Sequence, residues 1–575
     1  MNNYLFLFTI GPVQTFIAQA RKTQDLYAGS KLLSDLVEIA ITKAKKLGFQ
    51  KPIFPDDAIE SKPNRFITII KNKTQSEMQQ LCKNIKEEVR DELKKIANDT
   101  LKGKCYKPPH NFYKQIEDFL QIYWVALEYE EKNYWKKYKK IKQYLGAIKN
   151  VRSFEQIPET GRKCSLCGER NVLFCEKGNK SKVQLKPDWK NLSEEDKKLV
   201  NDYNNSITEI SYPFGISEGL CAVCFTKRFY KEVNQDSFPS TPEICLMDTI
   251  PQNEMDLVKK MKLDPQLFYE ENLTKEYFEK FQISESLYNV KKLRNQIFER
   301  CKLKSSDLQK YYALIMLDGD NMGKWLSGEF LKDKNNLKEF HIKMSEELGN
   351  YADKMNNLIS QPKGKLVYAG GDDVMAFINL EHLFEVLKNL RKEFPKFENL
   401  GFALQNDKKS SVSAGVVIAH YKTPLPEVLK WARKMEKSAK EKGGRDAFAI
   451  AVLKHSGEIQ ETVWKWKTHD IWVIDRLKEL VNELNDKNEG FSNTFIKNIN
   501  IEFQKLGEID DEMFKTELKR LLKRSSQIKN DKDEKKKKVE EWTDKLIPLY
   551  YEAGKIENFF AFLNIADFLV RRTTQ

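Results

Sequence analysis

The fold is decided by the stretch Leu366-Val367-Tyr368-Ala369-Gly370-Gly371-Asp372-Asp373-Val374-Met375-Ala376-Phe377-Ile378-Asn379-Leu380, in which two short apolar runs flank two glycines and two aspartates. This pattern predicts a tight β-hairpin whose tip carries Gly370-Gly371-Asp372-Asp373. The glycines adopt turn conformations that residues with a Cβ resist, and they leave room for a nucleotide to approach. Adjacent aspartates repel each other unless a cation compensates their charge. The tip is therefore a candidate metal site, although an ordinary solvated turn also favours Asp and Gly.

A second source of carboxylates lies upstream of the hairpin. The apolar run Tyr311–Leu317 predicts a buried strand, and it ends in Asp318-Gly319-Asp320-Asn321-Met322-Gly323. Two-metal phosphoryl chemistry takes carboxylates from separate strands to hold two divalent ions about 3.5–4 Å apart. If the two strands are neighbours, Asp318, Asp372 and Asp373 can bind metal, and Asp320 is a further candidate.

The segments around these residues predict a regular alternation. We expect, in chain order, a helix over Glu329–Leu358, the hairpin, a helix over His382–Phe394, a strand over Ser411–Ala419, a helix over Leu425–Glu441 and a strand over Ala447–Leu453. The sum is β-α-β-β-α-β with an extra helix and strand, which is a split-βαβ, ferredoxin-like arrangement. Sequential order and right-handed crossovers place the first strand beside the hairpin and bring Asp318 to Asp372.

This segment resembles the palm of nucleotide cyclases and polymerases, and more narrowly that of the large palm-bearing subunit of type III CRISPR interference complexes. The Gly-Gly-Asp-Asp form, rather than the GGDEF form of diguanylate cyclases, favours the CRISPR branch. A second stretch comprises Gly11–Ile17, Ala20–Thr23, Asp25–Ser30 and Leu32-Leu33-Ser34. It resembles the amino-terminal signature of the large subunit of type III-B (Cmr) complexes. Without the family, it is a strand, Tyr4–Ile10, that turns through Gly-Pro into a core helix.

Nine cysteines are present, and four of them form two CxxC pairs: Cys164, Cys167, Cys221 and Cys224. Two such pairs predict a structural zinc site with four thiolate ligands. A redox dithiol is the competing interpretation, but a redox site needs only one CxxC pair, beside a βαβ unit, and this chain has two pairs. The other cysteines are assigned as follows: Cys175 and Cys245 as possible substitute ligands, and Cys82, Cys105 and Cys301 as core residues.

Length and composition set the frame for these motifs. A chain of 575 residues should hold three to four domains. The net charge of +14, from 98 basic and 84 acidic residues, suits a polyanionic partner but is diluted over a large chain. No apolar stretch reaches about 18 residues, and Tyr4–Ile10 lacks the features of a signal peptide. We therefore expect a cytoplasmic protein with no membrane partner.

The predicted fold class is an α+β multidomain protein with two ferredoxin-like palm (nucleotide cyclase-like) domains, a zinc-binding domain and a C-terminal helical bundle. The predicted boundaries are 1–155 for the first cyclase-like domain, 156–305 for the partly helical zinc domain with a polar insertion at 177–205, 306–455 for the palm and 456–575 for the bundle. The resemblance implies that the first domain has no catalytic acids. The run Lys535–Lys538 is better explained as a solvated linker or helix face than as a nucleic-acid or subunit contact.

The resemblance implies adenylyl transfer, switched on when target RNA pairs with the CRISPR guide RNA. ATP is attacked at its α-phosphorus with loss of pyrophosphate, and Mg²⁺ or Mn²⁺ is the cofactor. The usual product is a cyclic oligoadenylate made from ATP molecules held between the first domain and the palm; some relatives without an HD nuclease domain instead join ATP to S-adenosylmethionine. This chain reaches the signature at Gly11, and its only His-Asp dipeptide is His469-Asp470, so HD nuclease activity is not expected.

The resemblance also distributes roles among residues. Gly370 and Gly371 shape the approach of the phosphates, and Lys440 and Arg445 occupy positions where cyclase relatives place cationic phosphate contacts, although both also fit ordinary surface charges. Ser30, with Ser34, is a candidate for the acceptor pocket, with helix capping or packing as the alternative. The implied partners are the other Cmr subunits, guide RNA and target RNA.

Two other classes of function remain open from the sequence. A catalytically silent scaffold would bind guide RNA and partner subunits, but it has no reason to keep three repelling carboxylates together. A stand-alone cyclase making a dinucleotide from GTP would need neither the zinc domain nor the helical tail.

Overall fold

The computed structural model describes residues 1–57, 59–151, 161–211, 214, 217–230, 238–261, 263–281, 283–506, 510–529 and 531–573. The predicted boundary between the first and second domains, at 155, lies outside the described residues. No helix in the described ranges has the length and apolar character needed to cross a membrane.

The strands of the described residues are β1 (Asn2–Gly11), β2 (Arg65–Lys73), β3 (Gln121–Glu128), β4 (Phe174–Glu176), β5 (Thr208–Ile210), β6 (Gly219–Leu220), β7 (Tyr311–Gly319), β8 (Gly364–Ala369), β9 (Asp373–Asn379), β10 (Val412–His420), β11 (Ala447–Leu453), β12 (Ile459–Lys465), β13 (Lys467–Thr468) and β14 (Ile471–Trp472).

The α-helices are α1 (Gln14–Ala18), α2 (Thr23–Lys46), α3 (Gln75–Leu101), α4 (Phe112–Glu117), α5 (Tyr134–Asn150), α6 (Lys180–Val183), α7 (Glu194–Ser206), α8 (Ala222–Arg228), α9 (Thr241–Leu246), α10 (Gln252–Lys260), α11 (Lys275–Lys280), α12 (Leu287–Cys301), α13 (Met322–Leu326), α14 (Leu337–Leu358), α15 (Leu383–Lys392), α16 (Leu425–Glu441), α17 (Val473–Asn485), α18 (Thr494–Leu506), α19 (Asp511–Ser525), α20 (Lys532–Glu552) and α21 (Ile556–Thr573).

The palm is a six-stranded sheet in the order β12-β11-β10-β7-β9-β8. Strand β7 pairs antiparallel with both β9 and β10, and β11 runs parallel to β10 after the crossover through α16. The four strands β10-β7-β9-β8 have the order of a ferredoxin-like sheet, and α16 with β11 adds the extra helix and strand that the sequence predicts. Strand β12, which pairs antiparallel with β11, was not predicted.

The helix expected over Glu329–Leu358 begins later, at Leu337. Leu331 instead forms an isolated bridge with Leu404, and Asp333 caps a short 3₁₀ turn by accepting a hydrogen bond from the Asn335 N–H at 2.9 Å. The prediction was wrong here because the apolar residues before Leu337 pack against Trp325 in a loop, and their spacing fits a helical stripe equally well.

The first domain has a three-stranded sheet in the order β2-β1-β3, antiparallel throughout. An isolated antiparallel bridge joins Phe54 to Ile67 on the free side of β2. This order is that of a ferredoxin-like sheet whose second strand is reduced to one bridge, which agrees with the predicted fold class.

The second domain docks on the amino-terminal signature through buried charge. Arg228, at the end of α8, donates from Nε and Nη2 to the two carboxylate oxygens of Asp25 at 2.8 and 2.7 Å, and from Nη1 to Glu218 at 2.8 Å. Lys227 donates to the backbone carbonyl oxygens of Phe16 at 2.7 Å and of Gln19. Removing one partner of such a buried cluster leaves the other charges buried without a partner. These contacts therefore fix the relative position of the two domains.

The C-terminal helices α17 to α21 pack as a bundle on the β10-β11-β12 side of the palm, as predicted. The run Lys535–Lys538 lies in α20, and Lys538 pairs with Glu483 at 2.9 Å. The run therefore lies on a helix and not in a linker.

A buried histidine joins the first domain to the palm. His341 of α14 accepts a hydrogen bond at Nδ1 from the Tyr134 hydroxyl at 2.9 Å and donates from Nε2 to the Leu326 carbonyl oxygen at 2.9 Å. This pattern requires the neutral imidazole, and burial lowers the pKa of His341 to about 4.

We expect His341→Gln to weaken the pH dependence of thermal unfolding. The folded-state pKa of about 4 lies below the unfolded value of about 6.5, so the unfolded chain binds more protons between these pH values. The stability that His341 contributes above pH ~6.5 is lost as the pH falls towards ~4, by up to about 3 kcal/mol. Calorimetry at about pH 7.5 and about pH 5 should show a smaller fall in Tm for the variant. Equal falls in the two proteins would contradict this account.

Candidate functional site

The hairpin between β8 and β9 has the geometry that its glycines predict. Gly370 N–H donates to the Asp373 carbonyl oxygen at 3.0 Å, and Gly371 has a φ of 101°. A Cβ on Gly370 would lie 2.6 Å from Oδ1 of Asp373. Both glycines are therefore needed for the turn and for the position of the second carboxylate.

The register of β7 against β9 brings the predicted acids together. Asp318 lies directly opposite Asp373, and the Gly319 N–H donates to the Asp372 carbonyl oxygen at 3.0 Å. The strand end thus carries Asp318, Asp372 and Asp373 side by side, as the predicted topology requires.

Burial and mutual repulsion among the three acids raise the pKa values of Asp372 and Asp373. Burial, followed by the negative charge of Asp318, raises the pKa of Asp372 to about 6. Burial, followed by Asp372 and then Asp318, raises the pKa of Asp373 to about 8. Carboxylates with pKa values this high have too little positive charge around them, so a bound cation would stabilise their ionised forms.

Lys440 supplies part of the missing positive charge. Its ammonium contacts the Asp318 carboxylate and lies 2.6 Å from Oε1 of Glu436 on the same helix. The prediction that Lys440 belongs to this site therefore agrees with its position. Arg445 lies in the loop after α16, where its side chain is exposed and its backbone carbonyl oxygen accepts a hydrogen bond from Lys465 at 2.7 Å. No hydrogen bond or ion pair joins the Arg445 side chain to the site in the described structure.

Asp320 has a different role from the predicted one. It is buried, and its carboxylate accepts hydrogen bonds from the hydroxyls of Ser411 and Ser413, both at 2.8 Å, and from the Asp446 N–H at 2.9 Å. These bonds occupy both oxygens and tie β7 to β10 and to the loop before β11. The sequence could not separate Asp320 from Asp318, because the difference lies in the serines of a distant strand.

The donor set fits a divalent cation, but the carboxylate oxygens have not converged on one point. The described residues contain one cluster of at least three potential metal ligands with all ligand atoms within 4.8 Å of one another, and it consists of cysteines. The three carboxylates are therefore not that close together. Lys440 contacts Asp318 in this group, so a cation bound by the three acids would compete with that contact.

A cavity of about 660 Å³ lies next to the hairpin, between the first domain and the palm. Ser30, Ser34 and Tyr27 of α2 form one wall, and Lys365–Ala369 of β8 forms another. Ala369 immediately precedes Gly370, so the cavity adjoins the acidic tip. Ser34 already accepts a hydrogen bond from the Lys62 N–H at 2.8 Å, which leaves Ser30 as the better candidate for a ligand contact.

Sequence reasoning missed three residues around the site. Arg65, at the start of β2, acts on Asp372 through its positive charge, and Arg433 and Glu436 of α16 act on Tyr368 beside the acids. Glu436 and Lys440 lie on one face of α16, and their i, i+4 spacing was a usable signal. Arg65 carried no local signal, because only the tertiary fold brings β2 near the palm.

The four predicted zinc ligands come together as a compact group. The sulfurs of Cys164, Cys167, Cys221 and Cys224 all lie within 4.8 Å of one another. The Cys167 and Cys221 sulfurs are 3.8 Å apart, close to the ~3.8 Å that tetrahedral zinc with Zn–S bonds of about 2.3 Å requires. The donor set therefore fits a structural zinc ion. Cys175, on β4, and Cys245, whose thiol pKa is raised by burial, lie outside this group of four. Four thiolates already complete a tetrahedral site, so neither is needed as a ligand.

Replacing a knuckle cysteine should release zinc and destabilise the protein. We expect wild type to carry about one zinc ion per chain and Cys221→Ser to lose it, with a fall in Tm of roughly 5 °C or more. Cys301→Ser, at a half-buried thiol outside the cluster, is the matched control and should keep its zinc. Elemental analysis and calorimetry measure both quantities; full zinc retention by Cys221→Ser would count against the site.

Asp373→Asn should stabilise the metal-free protein and abolish stabilisation by metal. The raised pKa shows that the ionised carboxylate disfavours the fold, so its neutral isostere should raise Tm in EDTA by about 1–4 °C at pH 8 or above. Mn²⁺ should raise the Tm of wild type by mass action and leave the variant unchanged. The exposed Asp202→Asn serves as the control and should behave as wild type. A variant that still gains Tm with Mn²⁺ would refute the assignment.

Comparison with known proteins agrees with this architecture. Residues 311–449 match the second palm domain of Cas10/Cmr2, and residues 5–98 match the N-terminal domain of the CRISPR-associated protein Cmr2. The CRISPR system Cmr subunit Cmr2 of Pyrococcus furiosus is 27% identical over an alignment 662 residues long. The alignment covers 98% of this chain and 74% of that protein. The type III-B Cmr-β cryo-EM structure in its apo state matches with a TM-score of 0.59 at 15% identity, over 93% of this chain and 78% of the other. The structure of Cmr-β bound to cognate target RNA matches with a TM-score of 0.59 at 15% identity, over 93% and 80%. Two segments of this chain thus match models of Cas10/Cmr2 domains, and most of its length is similar to Cmr2, a subunit of the CRISPR Cmr system.

Proposed function

We propose that this protein is the target-RNA-activated adenylyltransferase subunit of a type III-B CRISPR antiviral complex. The observation that carries the proposal is the register of β7 against β9, which sets Asp318 beside Asp372 and Asp373 next to a cavity between the two ferredoxin-like domains. A scaffold needs no such arrangement, because raised carboxylate pKa values cost stability unless a ligand uses them.

The acids and the glycines at the hairpin tip would have different roles. Asp318, Asp372 and Asp373 would hold Mg²⁺ or Mn²⁺, which when bound neutralises the phosphates of ATP and acidifies the attacking hydroxyl. Gly370 and Gly371 carry no side chain, so the triphosphate can approach the backbone of the turn.

Lys440 adds a second positive charge at the same strand end. Its ammonium is a point donor held on a helix and oriented by Glu436, so it can exchange its contact with Asp318 for a contact with a phosphate oxygen. Arg445 remains a proposed phosphate contact that would have to swing in from its exposed loop.

The cavity supplies the acceptor side of the reaction. A volume of about 660 Å³ is within the usual range for a small-molecule site, and the cavity walls come from the first domain, from the palm and from Gln252 and Lys259 of the second domain. Ser30 presents a hydroxyl there that can orient a ribose or an adenine. Attack of an acceptor hydroxyl on the α-phosphorus forms the new P–O bond and breaks the bond to pyrophosphate. The acceptor is a second ATP for a cyclic oligoadenylate product, or S-adenosylmethionine for a conjugate.

The partners follow from the relatives. The Pyrococcus furiosus protein is named as a subunit of the Cmr system, and Cmr-β is described with cognate target RNA bound. We propose that this chain likewise assembles with Cmr subunits and guide RNA, and that target RNA activates it.

The proposal predicts a product that depends on both target RNA and the acidic tip. The assembled complex is incubated with labelled ATP and Mg²⁺ or Mn²⁺, with and without cognate target RNA and with and without S-adenosylmethionine, and products are resolved by mass spectrometry. Wild type should form product only with target RNA, and Asp372→Asn/Asp373→Asn should lose at least about 100-fold in rate, because it removes the metal ligands.

Asp202→Asn should retain wild-type activity in the same assay. The product mass separates a cyclic oligoadenylate from the conjugate. Absence of product with ATP and either acceptor, in complexes shown to hold target RNA, would leave a scaffold that binds guide RNA and partner subunits.

A further inference from the structure

Helix α5 carries the most one-sided charge of the first domain. Its 17 residues include six lysines and no acidic residue. These six residues form what is called here the basic ridge: Lys136, Lys137, Lys139, Lys140, Lys142 and Lys149. Four of them are exposed and two are half-buried.

Among the described residues, the ridge lysines make no ion pair. Ion pairs are frequent on this protein, and even the lysine-rich α20 pairs Lys538 with Glu483 and Lys545 with Glu541. By contrast, no carboxylate of the described chain lies within 4.0 Å of any ridge lysine. Burial and the nearby positive charge of Arg65 lower the pKa of Lys142 and of Lys149. The ridge is therefore a region of uncompensated positive charge, which favours a polyanion.

Aromatic rings are interleaved with these cations. Tyr144 is 42% exposed, and the Lys140 ammonium lies 5.5 Å from its ring centroid. Trp135 is half-buried, with the ammonium groups of Lys136 and Lys334 each 5.5 Å from its ring. Rings flanked by cations suit stacking bases and their phosphates, so they favour a nucleic-acid strand as the polyanion.

The ridge is held rigidly. The opposite face of α5 buries Tyr134, Tyr138, Ile141 and Leu145 against β3 and the palm. The Tyr134 hydroxyl donates to His341 of α14 at 2.9 Å. At 1.5 Å per residue, the lysines extend over about 20 Å, long enough to contact several phosphates in succession.

We propose that the basic ridge of α5 is a docking surface for single-stranded RNA, which binds through its phosphates and stacks at least one base on Tyr144. This proposal concerns binding and stands whether or not the palm transfers adenylyl groups.

Fluorescence anisotropy with the full-length chain tests the proposal. The probes are an unstructured 20-nucleotide RNA and a DNA of the same sequence, titrated at several salt concentrations between about 50 and 200 mM. Lys136→Gln/Lys139→Gln/Lys140→Gln should weaken RNA binding by about 10- to 100-fold at the lower salt and reduce the salt slope by about 2, because each phosphate contact contributes about 0.7.

Two further variants separate charge from stacking and from general basicity. Tyr144→Ala should weaken binding by about 5- to 100-fold and leave the salt slope unchanged, as a stacking contact does. Lys535→Gln/Lys536→Gln/Lys537→Gln on α20 removes the same charge from a helix that also carries acids, and it should bind within about twofold of wild type. Melting curves establish that each variant is folded.

The DNA titration tests the assignment to RNA: the triple variant should lose more affinity for the RNA than for the DNA, and an equal or larger loss on the DNA would overturn the assignment. Wild-type affinity and an unchanged slope in the folded triple variant would overturn the proposal. Equal losses in the α20 variant would also overturn it, because binding would then follow net charge and not the ridge.

Discussion

Repulsion among three carboxylates at one strand end is the constraint around which the palm is organised. Asp318 and Asp373 face each other across β7 and β9, and Asp372 follows in the adjoining turn. Burial of these charges raises the pKa values of Asp372 and Asp373, a cost that the strongly apolar sheet beneath them must offset. Lys440 offsets only part of the repulsion, since it contacts Asp318 alone among the three. This shortage of positive charge among the described side chains is the reason we propose that the site binds divalent cations.

The same site needs the first domain held against the palm, and buried polar contacts do this. Arg228 binds Asp25 and Glu218 in a region that water does not reach, so the zinc knuckle is joined to the helix that carries Ser30. His341 joins α14 of the palm to α5 on another side of the first domain. Contacts of this kind tolerate little displacement, because each buried group left without its partner costs free energy. The cavity between the domains thus has fixed walls.

Much of this could be predicted from the sequence, since the information was local and periodic. The apolar run before Asp318 and the hairpin around Gly370-Gly371 predicted neighbouring strands, and topology rules then brought the acids together. The two CxxC pairs predicted the cysteine cluster, because metal sites impose spacing on their ligands. The signature residue Asp25 could be noticed but not explained, since its partner Arg228 is distant in sequence.

The remainder depended on tertiary contacts that no local pattern encodes. Asp320 and Asp318 are two residues apart and of the same type, yet Ser411 and Ser413 give Asp320 a structural role. Arg65 reaches the acids only because β2 closes on the palm. The apolar residues before Leu337 fit a helical stripe but pack in a loop, because periodicity alone does not reveal which neighbours will cover a side chain.

The most direct test of the central claim is a structure of the assembled complex with Mn²⁺ and a non-hydrolysable ATP analogue, with the metal located by its anomalous scattering. The account predicts metal bound by Asp318, Asp372 and Asp373, the triphosphate against Gly370-Gly371, and the Lys440 ammonium moved from Asp318 to a phosphate oxygen. A nucleotide bound elsewhere, with Lys440 still on Asp318 and no metal at the three acids, would contradict it.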